Sequence, residues 1–302
     1  MTRYLPGPLR GTLSALWLLS NTVLCCGLLF LVAAVKGVLR APGPRGRVER
    51  LLDGIATQWV RNNNLALALL NPVRWQVEGV ENLRPDDWYL VISNHQSWLD
   101  IVVLQRALAG RVPFLKFFIK QQLIWVPLLG VAWWALDFPF MQRHSREFLE
   151  RNPHLRGQDL EATRRSCERF AARPTAIMNF VEGTRFTPAK HARQGSPYAR
   201  LLKPRAGGMA FVLGAMGRQI HQILDVTIVY PAGGTGFWRF LCGRISEVRV
   251  RVESLPVTED LLGDYDGDAA YRQRFQAWLN LRWEAKDRLL ADRAGAPGIG
   301  TS

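Results

Sequence analysis

The stretch "WYLVISNHQSWLD" (residues 88–100) decides how the rest of the chain is read. It opens with an uncharged apolar run, Trp88 to Ile92, and then turns polar at once through Ser93, Asn94 and His95, with Asp100 following. A short continuous apolar run bounded by polar residues predicts a strand covered on both faces. A polar loop leading from such a strand into a helix is the repeating step of an α/β sheet, and sites in these sheets gather at the strand ends.

The same pattern recurs outward from this segment. Strands are expected at "WQVEGV" (75–80), "TAIMNFVE" (175–182), "ILDVTIVY" (223–230) and "EVRVRVESL" (247–255), with helical stretches between them, among them 97–109 and "DLEATRRSCERFAA" (159–172). The expected fold class is therefore α/β, a largely parallel central sheet flanked by helices. The alternation in "VRVRVE" predicts an exposed edge strand. A last helix is expected from Ala269 to Asp292, docking through Tyr271, Phe275, Trp278, Ala285 and Leu289.

At the other end, "GTLSALWLLSNTVLCCGLLFLVAAV" (11–35) carries no charge over 25 residues. As a helix it would extend roughly 37 Å, enough to cross a hydrocarbon core. The run is too long for a signal peptide, so a retained N-terminal membrane anchor is the expected reading. Basic residues crowd its C-terminal side at Lys36, Arg40, Arg45, Arg47 and Arg50, against Arg3 and Arg10 before it. That asymmetry places the bulk of the chain on the cytoplasmic side, at the inner membrane if the chain is bacterial. A linker, "RAPGPRGR", then leads to a helix with Leu51, Leu52, Ile55, Trp59 and Val60 on one side, which reads equally as a core helix or an interfacial one.

A net charge of +14, from 33 Arg and 6 Lys against 25 acidic residues, calls for anionic partners. No motif interleaves basic and aromatic residues as nucleic-acid readers do, so lipid headgroups or acidic cofactors are the expected partners, with no nucleic acid. Cys25 and Cys26 lie in the apolar run and Cys167 and Cys242 stand alone, so neither a disulfide framework nor a zinc spacing is present. The acidic run "DYDGD" (264–268) lacks the glycine position and terminal Glu of a calcium loop.

Two blocks carry candidate chemistry. Positions five apart do not share a helix face, so His95 and Asp100 meet only if the histidine lies in the loop and the aspartate in the first helical turn, with Ser97 as a plausible N-cap. Asp100 would then fix the imidazole tautomer and leave the second ring nitrogen as a base, unless the pair is purely structural. Neither a serine nor a cysteine completes a triad, so the proton would come from a substrate. The second block, "NFVEGTRFTP" (179–188), combines a glycine that admits an anion to the backbone, the Thr184 hydroxyl and the Arg185 fork. Glu182 would repel a phosphate directly and is expected to orient Arg185 or its neighbours. A plain turn with a surface ion pair is the alternative for this block.

Together these blocks resemble the glycerolipid acyltransferases that include the 1-acylglycerol-3-phosphate acyltransferases, in which an Asn-His-x-x-x-x-Asp block precedes a Glu-Gly-Thr-Arg block. The intervening "KQQLIWVPLLGVAWWALDFPFMQR" supplies the Lys, Pro, Gly and Arg of that family at Lys120, Pro127, Gly130 and Arg143. The resemblance runs from about Trp75 to Leu255. Val181 departs from it by replacing the usual Pro, the fourth block is loosely represented by "VTIVYP", and "LLKPRAGGMAF" (201–211) is similar to the branch acting on varied lysophospholipids.

The resemblance implies His95 as general base and Asp100 as its orienter. It also implies a phosphate-binding set of Glu182, Gly183, Thr184 and Arg185, joined by Arg143. It implies acyl transfer from an acyl-CoA or acyl carrier protein thioester to a lysophospholipid, with no bound cofactor and no metal. An acyltransferase for another lipid acceptor and a non-catalytic lipid-binding protein are the alternatives. The expected division is anchor and linker (1–44), interfacial or membrane-associated helix (45–72), catalytic domain (73–257), docking helix (258–293) and disordered tail (294–302).

Overall fold

A computed structural model describes residues 5–38, 42–141, 151, 173–265 and 267–295. Helices α1 (Gly7–Val38) and α2 (Pro42–Leu70) lead into a run of short strands and helices. In chain order these are β1 (Arg74–Glu78), β2 (Tyr89–Ser93), α3 (Leu99–Leu108), β3 (Leu115–Phe117), β4 (Ile119–Lys120), α4 (Leu129–Ala135), β5 (Phe140–Met141) and β6 (Ala176–Asn179). There follow α5 (Pro188–Gln194), α6 (Gly207–Met216), β7 (Gln222–Val229), α7 (Phe237–Leu241), β8 (Glu247–Pro256) and α8 (Ala269–Gly295). The segment 159–172, expected to be helical, lies outside the described residues.

The main sheet has the order β1-β8-β7-β2-β6-β3, and every pairing in it is parallel except β7 with β8. Strand β2 sits centrally between β7 and β6, and all five of its residues are buried. Its period of two divides the core: Tyr89 and Val91 face the cluster around α3, whereas Leu90 and Ile92 face the one under α6 and α8. Each such apolar side chain withdrawn from water contributes about 1.5–3 kcal/mol, which is why this strand carries no charge.

Strand β8 is not the edge its alternation suggested. It lies between β1 and β7, and the true edges are β1 and β3. The valines Val248, Val250 and Val252 enter the core, while Arg249 is buried with its Nε 2.6 Å from Glu247 Oε1. On β8's polar face, Glu253 is met by Arg282 of α8 at 2.6 Å. The buried stripe of α8 is also rotated from the expected one and runs through Tyr271, Phe275, Leu279, Trp283, Lys286 and Leu290. Its lysine donates to Val226 O at 2.6 Å and forms a buried ion pair with Asp225.

The linker expected after the anchor is helical from Pro42, since prolines in a first turn cost no backbone hydrogen bond. Helices α1 and α2 form an antiparallel hairpin joined by polar contacts: Asn21 Nδ2 to Asn63 Oδ1 (2.7 Å), Asn71 Nδ2 to Ser14 Oγ (3.1 Å) and Trp59 Nε1 to Thr22 Oγ1 (3.0 Å). Such bonds hold helices together where water offers no competing partner. Helix α1 touches the globular body near both ends. A Cβ on Gly11 would come 2.7 Å from Cys242 Sγ, and Lys36 pairs with Asp137 at 2.8 Å. Between those contacts Leu16, Leu19, Leu24, Leu28 and Leu31 stand exposed, at half their surface or more, so the helix is apolar on the outside as well.

Candidate active site

The loop after β2 is fixed before any catalytic group is placed. Asn94 Nδ2 donates to Ile228 O at 3.0 Å and its Oδ1 accepts from Ile228 N at 2.9 Å, so a side chain extends the β2–β7 ladder by one step. His95 can therefore leave the sheet while its backbone remains anchored. Helix α3 then opens with Trp98 rather than Ser97 in the capping position, and the Ser97 hydroxyl accepts the Leu99 N–H at 2.8 Å.

Asp100, wholly buried in the first turn of α3, faces four donors. Its Oδ2 accepts from His95 Nδ1 at 2.8 Å, from Ser97 N at 2.8 Å and from Gln96 N, while its Oδ1 accepts from the Tyr230 hydroxyl at 2.7 Å. Surrounded by donors, the carboxylate fixes the proton of the imidazole on Nδ1 and leaves the lone pair on Nε2. Nε2 makes no hydrogen bond among the described residues, and the His95 side chain is 13 % exposed. The ring is stacked on Phe180, with centroids 3.8 Å apart and planes 13° from parallel, and Phe117 backs Phe180 at 6.2 Å. A five-residue spacing that no single helix could use is thus brought together by a loop and a helix start.

The second block docks directly onto this loop. His95 N donates to Glu182 Oε1 at 3.0 Å, and His95 O accepts from Phe186 N at 2.7 Å. Gly183 turns the chain with φ +70°, a left-handed conformation that other residues rarely adopt. Arg185 is exposed and lies over the Trp98 ring, its guanidinium carbon 5.1 Å from the centroid.

Among the described residues Glu182 makes no bond to Arg185 and holds neighbouring backbone groups instead. Its carboxylate turns inward, and Oε2 accepts from Leu202 N at 2.9 Å, so it spans the His95 loop and the segment before α6. Two buried backbone N–H groups need an acceptor there, whereas a carboxylate beside a phosphate would be repelled. Burial pushes the Glu182 carboxyl up to about 7, against the downward pull of the Leu202 and His95 N–H groups and of Lys286.

Of the connecting segment, Lys120 is exposed at the end of β4. Gly130 permits α4 to pass over the preceding turn, since a Cβ there would collide with the Ile124 carbonyl oxygen. Arg143 lies outside the described residues. Sequence reasoning missed Tyr230, Asn94 and Trp98 as partners of the site, although "VTIVYP" offered a signal in a phenol that closes a strand buried almost throughout.

The family model described as Acyltransferase matches residues 74–231. The chain is 24% identical over 233 residues to 1-acyl-sn-glycerol-3-phosphate acyltransferase epsilon of Mus musculus, covering 69% of this chain and 58% of that one. It is 26% identical over 215 residues to the gamma form of Homo sapiens, covering 66% of this chain and 52% of that one. The chain thus spans little more than half the length of these curated relatives. A crystal structure of the 1-acyl-sn-glycerophosphate acyltransferase PlsC from Thermotoga maritima shares the fold, with a TM-score of 0.58 at 16% identity, over 97% of this chain and 99% of that one.

Proposed function

The chain belongs to the acyltransferase family, and from that premise we propose that it transfers an acyl group from a thioester, acyl-CoA or acyl carrier protein, to the sn-2 hydroxyl of a lysophospholipid. The expected acceptor is 1-acylglycerol-3-phosphate, the substrate class named in the curated relatives, and phosphatidic acid is the product. The observation that carries the reading is the pairing of His95 Nδ1 with Asp100 while Nε2 stays unbonded at the end of the sheet.

In this mechanism Nε2 of His95 takes the proton of the acceptor hydroxyl as its oxygen attacks the thioester carbonyl carbon. The tetrahedral intermediate collapses, the C–S bond breaks, and the leaving sulfur receives the proton from the imidazolium. Asp100 orients the ring and stabilises its charged form. Arg185, held on Trp98, anchors the acceptor phosphate beside Gly183 and Thr184, and Arg143 joins the same headgroup. Glu182 contributes by holding the His95 backbone rather than by touching phosphate. Residues 73–257 form the catalytic unit in this reading.

Helix α1 is long and apolar enough to cross a membrane. Because it is tied to the body near both ends and apolar along its outer face, we propose that the hairpin and its attached domain lie with that face in lipid. The basic residues after α1 favour the cytoplasmic side.

The test is acyl transfer from labelled acyl-CoA, then acyl carrier protein, to a panel of lysophospholipids by detergent-solubilised wild type and His95→Ala. General-base catalysis is worth about 10²- to 10⁴-fold, so a folded His95→Ala should lose nearly all activity. Equal transfer by both proteins removes His95 from the mechanism, and no transfer with either donor turns the reading toward lipid binding alone.

A further inference from the structure

Two further cations stand around the turn that carries Arg185. Helix α5 is capped by Thr187, whose hydroxyl accepts from Lys190 N at 3.2 Å, and this short helix brings Lys190 back over the turn. Lys190 Nζ donates to Thr184 Oγ1 at 2.7 Å and to Arg185 O at 3.1 Å. An ammonium has three donors, so one N–H and the whole charge remain uncommitted. Arg205 is exposed beside the same glycine. Its backbone N–H donates to Val181 O at 2.8 Å, and its Cδ lies 3.8 Å from where a Cβ on Gly183 would stand.

Among the described residues none of Arg185, Lys190 and Arg205 forms an ion pair. The nearest acid in sequence, Glu182, is turned inward with both oxygens occupied. Three cations set around a glycine turn, none of them ion-paired among the described residues, offer an anion more than one positive charge. A phosphodiester carries a single charge. A terminal phosphomonoester carries between one and a half and two at pH 7, as its second ionisation near pH 6 proceeds.

We propose that Lys190 and Arg205 complete, with Arg185, an anion site that selects a phosphomonoester dianion over a phosphodiester, and so sets the acceptor headgroup. This rests on the acyltransferase reading only for its consequence in catalysis, since the selectivity itself is a matter of binding. Lys190 also fixes the Thr184 hydroxyl and thereby acts on a group already in the anchor.

The experiment is calorimetric titration of the detergent-solubilised full chain with sn-glycerol 3-phosphate and with the diester sn-glycero-3-phospho-sn-glycerol, at pH 7.5 and pH 5.5. Wild type should bind the monoester about tenfold more tightly at pH 7.5, the worth of one extra charge-assisted contact. That preference should shrink at pH 5.5 and largely vanish in Lys190→Gln and in Arg205→Gln while the melting temperature holds. Equal binding of the two probes by wild type, or a preference that survives in both variants, overturns the proposal.

Coenzyme A and its 3′-dephospho form are titrated in parallel. If the variants lose discrimination between those two instead, the site serves the donor and the acceptor assignment is refuted. Acyl transfer to monoester and diester lysophospholipids separates the two layers. Selective binding with no transfer to any acceptor sinks the enzymatic reading and leaves this site standing, whereas transfer without monoester preference sinks this site alone.

Discussion

Tyr230→Phe isolates one bond in the His95–Asp100 arrangement. The phenol sits at the end of β7, is buried, and donates at 2.7 Å to Asp100 Oδ1, the oxygen that His95 does not use. Burial, then the adjacent Asp100 charge, raises the phenol well above its ordinary value, so it remains a donor throughout the working range. Phenylalanine keeps the ring and deletes only that donor, leaving a wholly buried carboxylate oxygen without its partner. A hydrogen bond to a charged group is worth about 1.5–3 kcal/mol, and that is the expected loss of folding stability.

The rate should fall by less, because Oδ2 still accepts from three donors that hold the carboxylate in place. An expected drop in kcat of about tenfold corresponds to about 1.4 kcal/mol, with KM for the lipid unchanged since the phenol is directed at Asp100 and not at substrate. The assay is steady-state acyl transfer across pH, with urea unfolding of the same samples. Tyr230→Phe should add little in an Asp100→Asn background. A variant with unchanged kcat, or one whose defect is wholly in KM or fully additive with Asp100→Asn, refutes the reasoning.

Glu182 gives the fold a pH dependence. Its carboxyl is raised from 4.5 to about 7 in the folded chain, so the folded state holds the proton more tightly and stability falls as pH rises through that window, by about 3 kcal/mol in all. Urea unfolding between pH 4.5 and pH 8 should show that slope and lose it in Glu182→Gln, which leaves one of two backbone N–H groups facing an amide donor. Lys286→Met leaves Asp225 buried with, among the described residues, only Arg282 as a cationic partner, at 3.5 Å, and thermal unfolding should report a loss of about 3 kcal/mol. Gly130→Ala drives a Cβ against the Ile124 carbonyl and should cost about 2 kcal/mol in the same assay.

The sheet was legible wherever a strand is covered on both faces. The "YLVIS" run lies at its centre because nothing in it requires water. Strand β8 was misjudged because alternation reports only that one face is polar, not what covers that face. Arg282, 29 residues beyond Glu253 and on another element, pairs with it and makes the polar face tolerable within the sheet. The same cause rotated the stripe of α8, where Lys286 belongs to the buried side by virtue of Asp225, which an apolar periodicity cannot register. Strand β3 was missed because three residues carry too little pattern. At the site, His95, Asp100 and Arg185 announced themselves by chemistry. Asn94 and Tyr230 did not, since an amide standing in for a backbone step and a phenol ending a strand are visible only once β7 lies beside β2.

The two bonds between the backbone of His95 and the second block, one from its N–H to Glu182 and one from Phe186 to its carbonyl, join positions 87 and 91 residues apart. The relation between His95 and the turn that carries Arg185 is therefore closed locally, by bonds between the two segments themselves. An insertion in the intervening chain that leaves Asp100, Phe180 and the β2–β6 pairing in place need not disturb the spacing between the two segments.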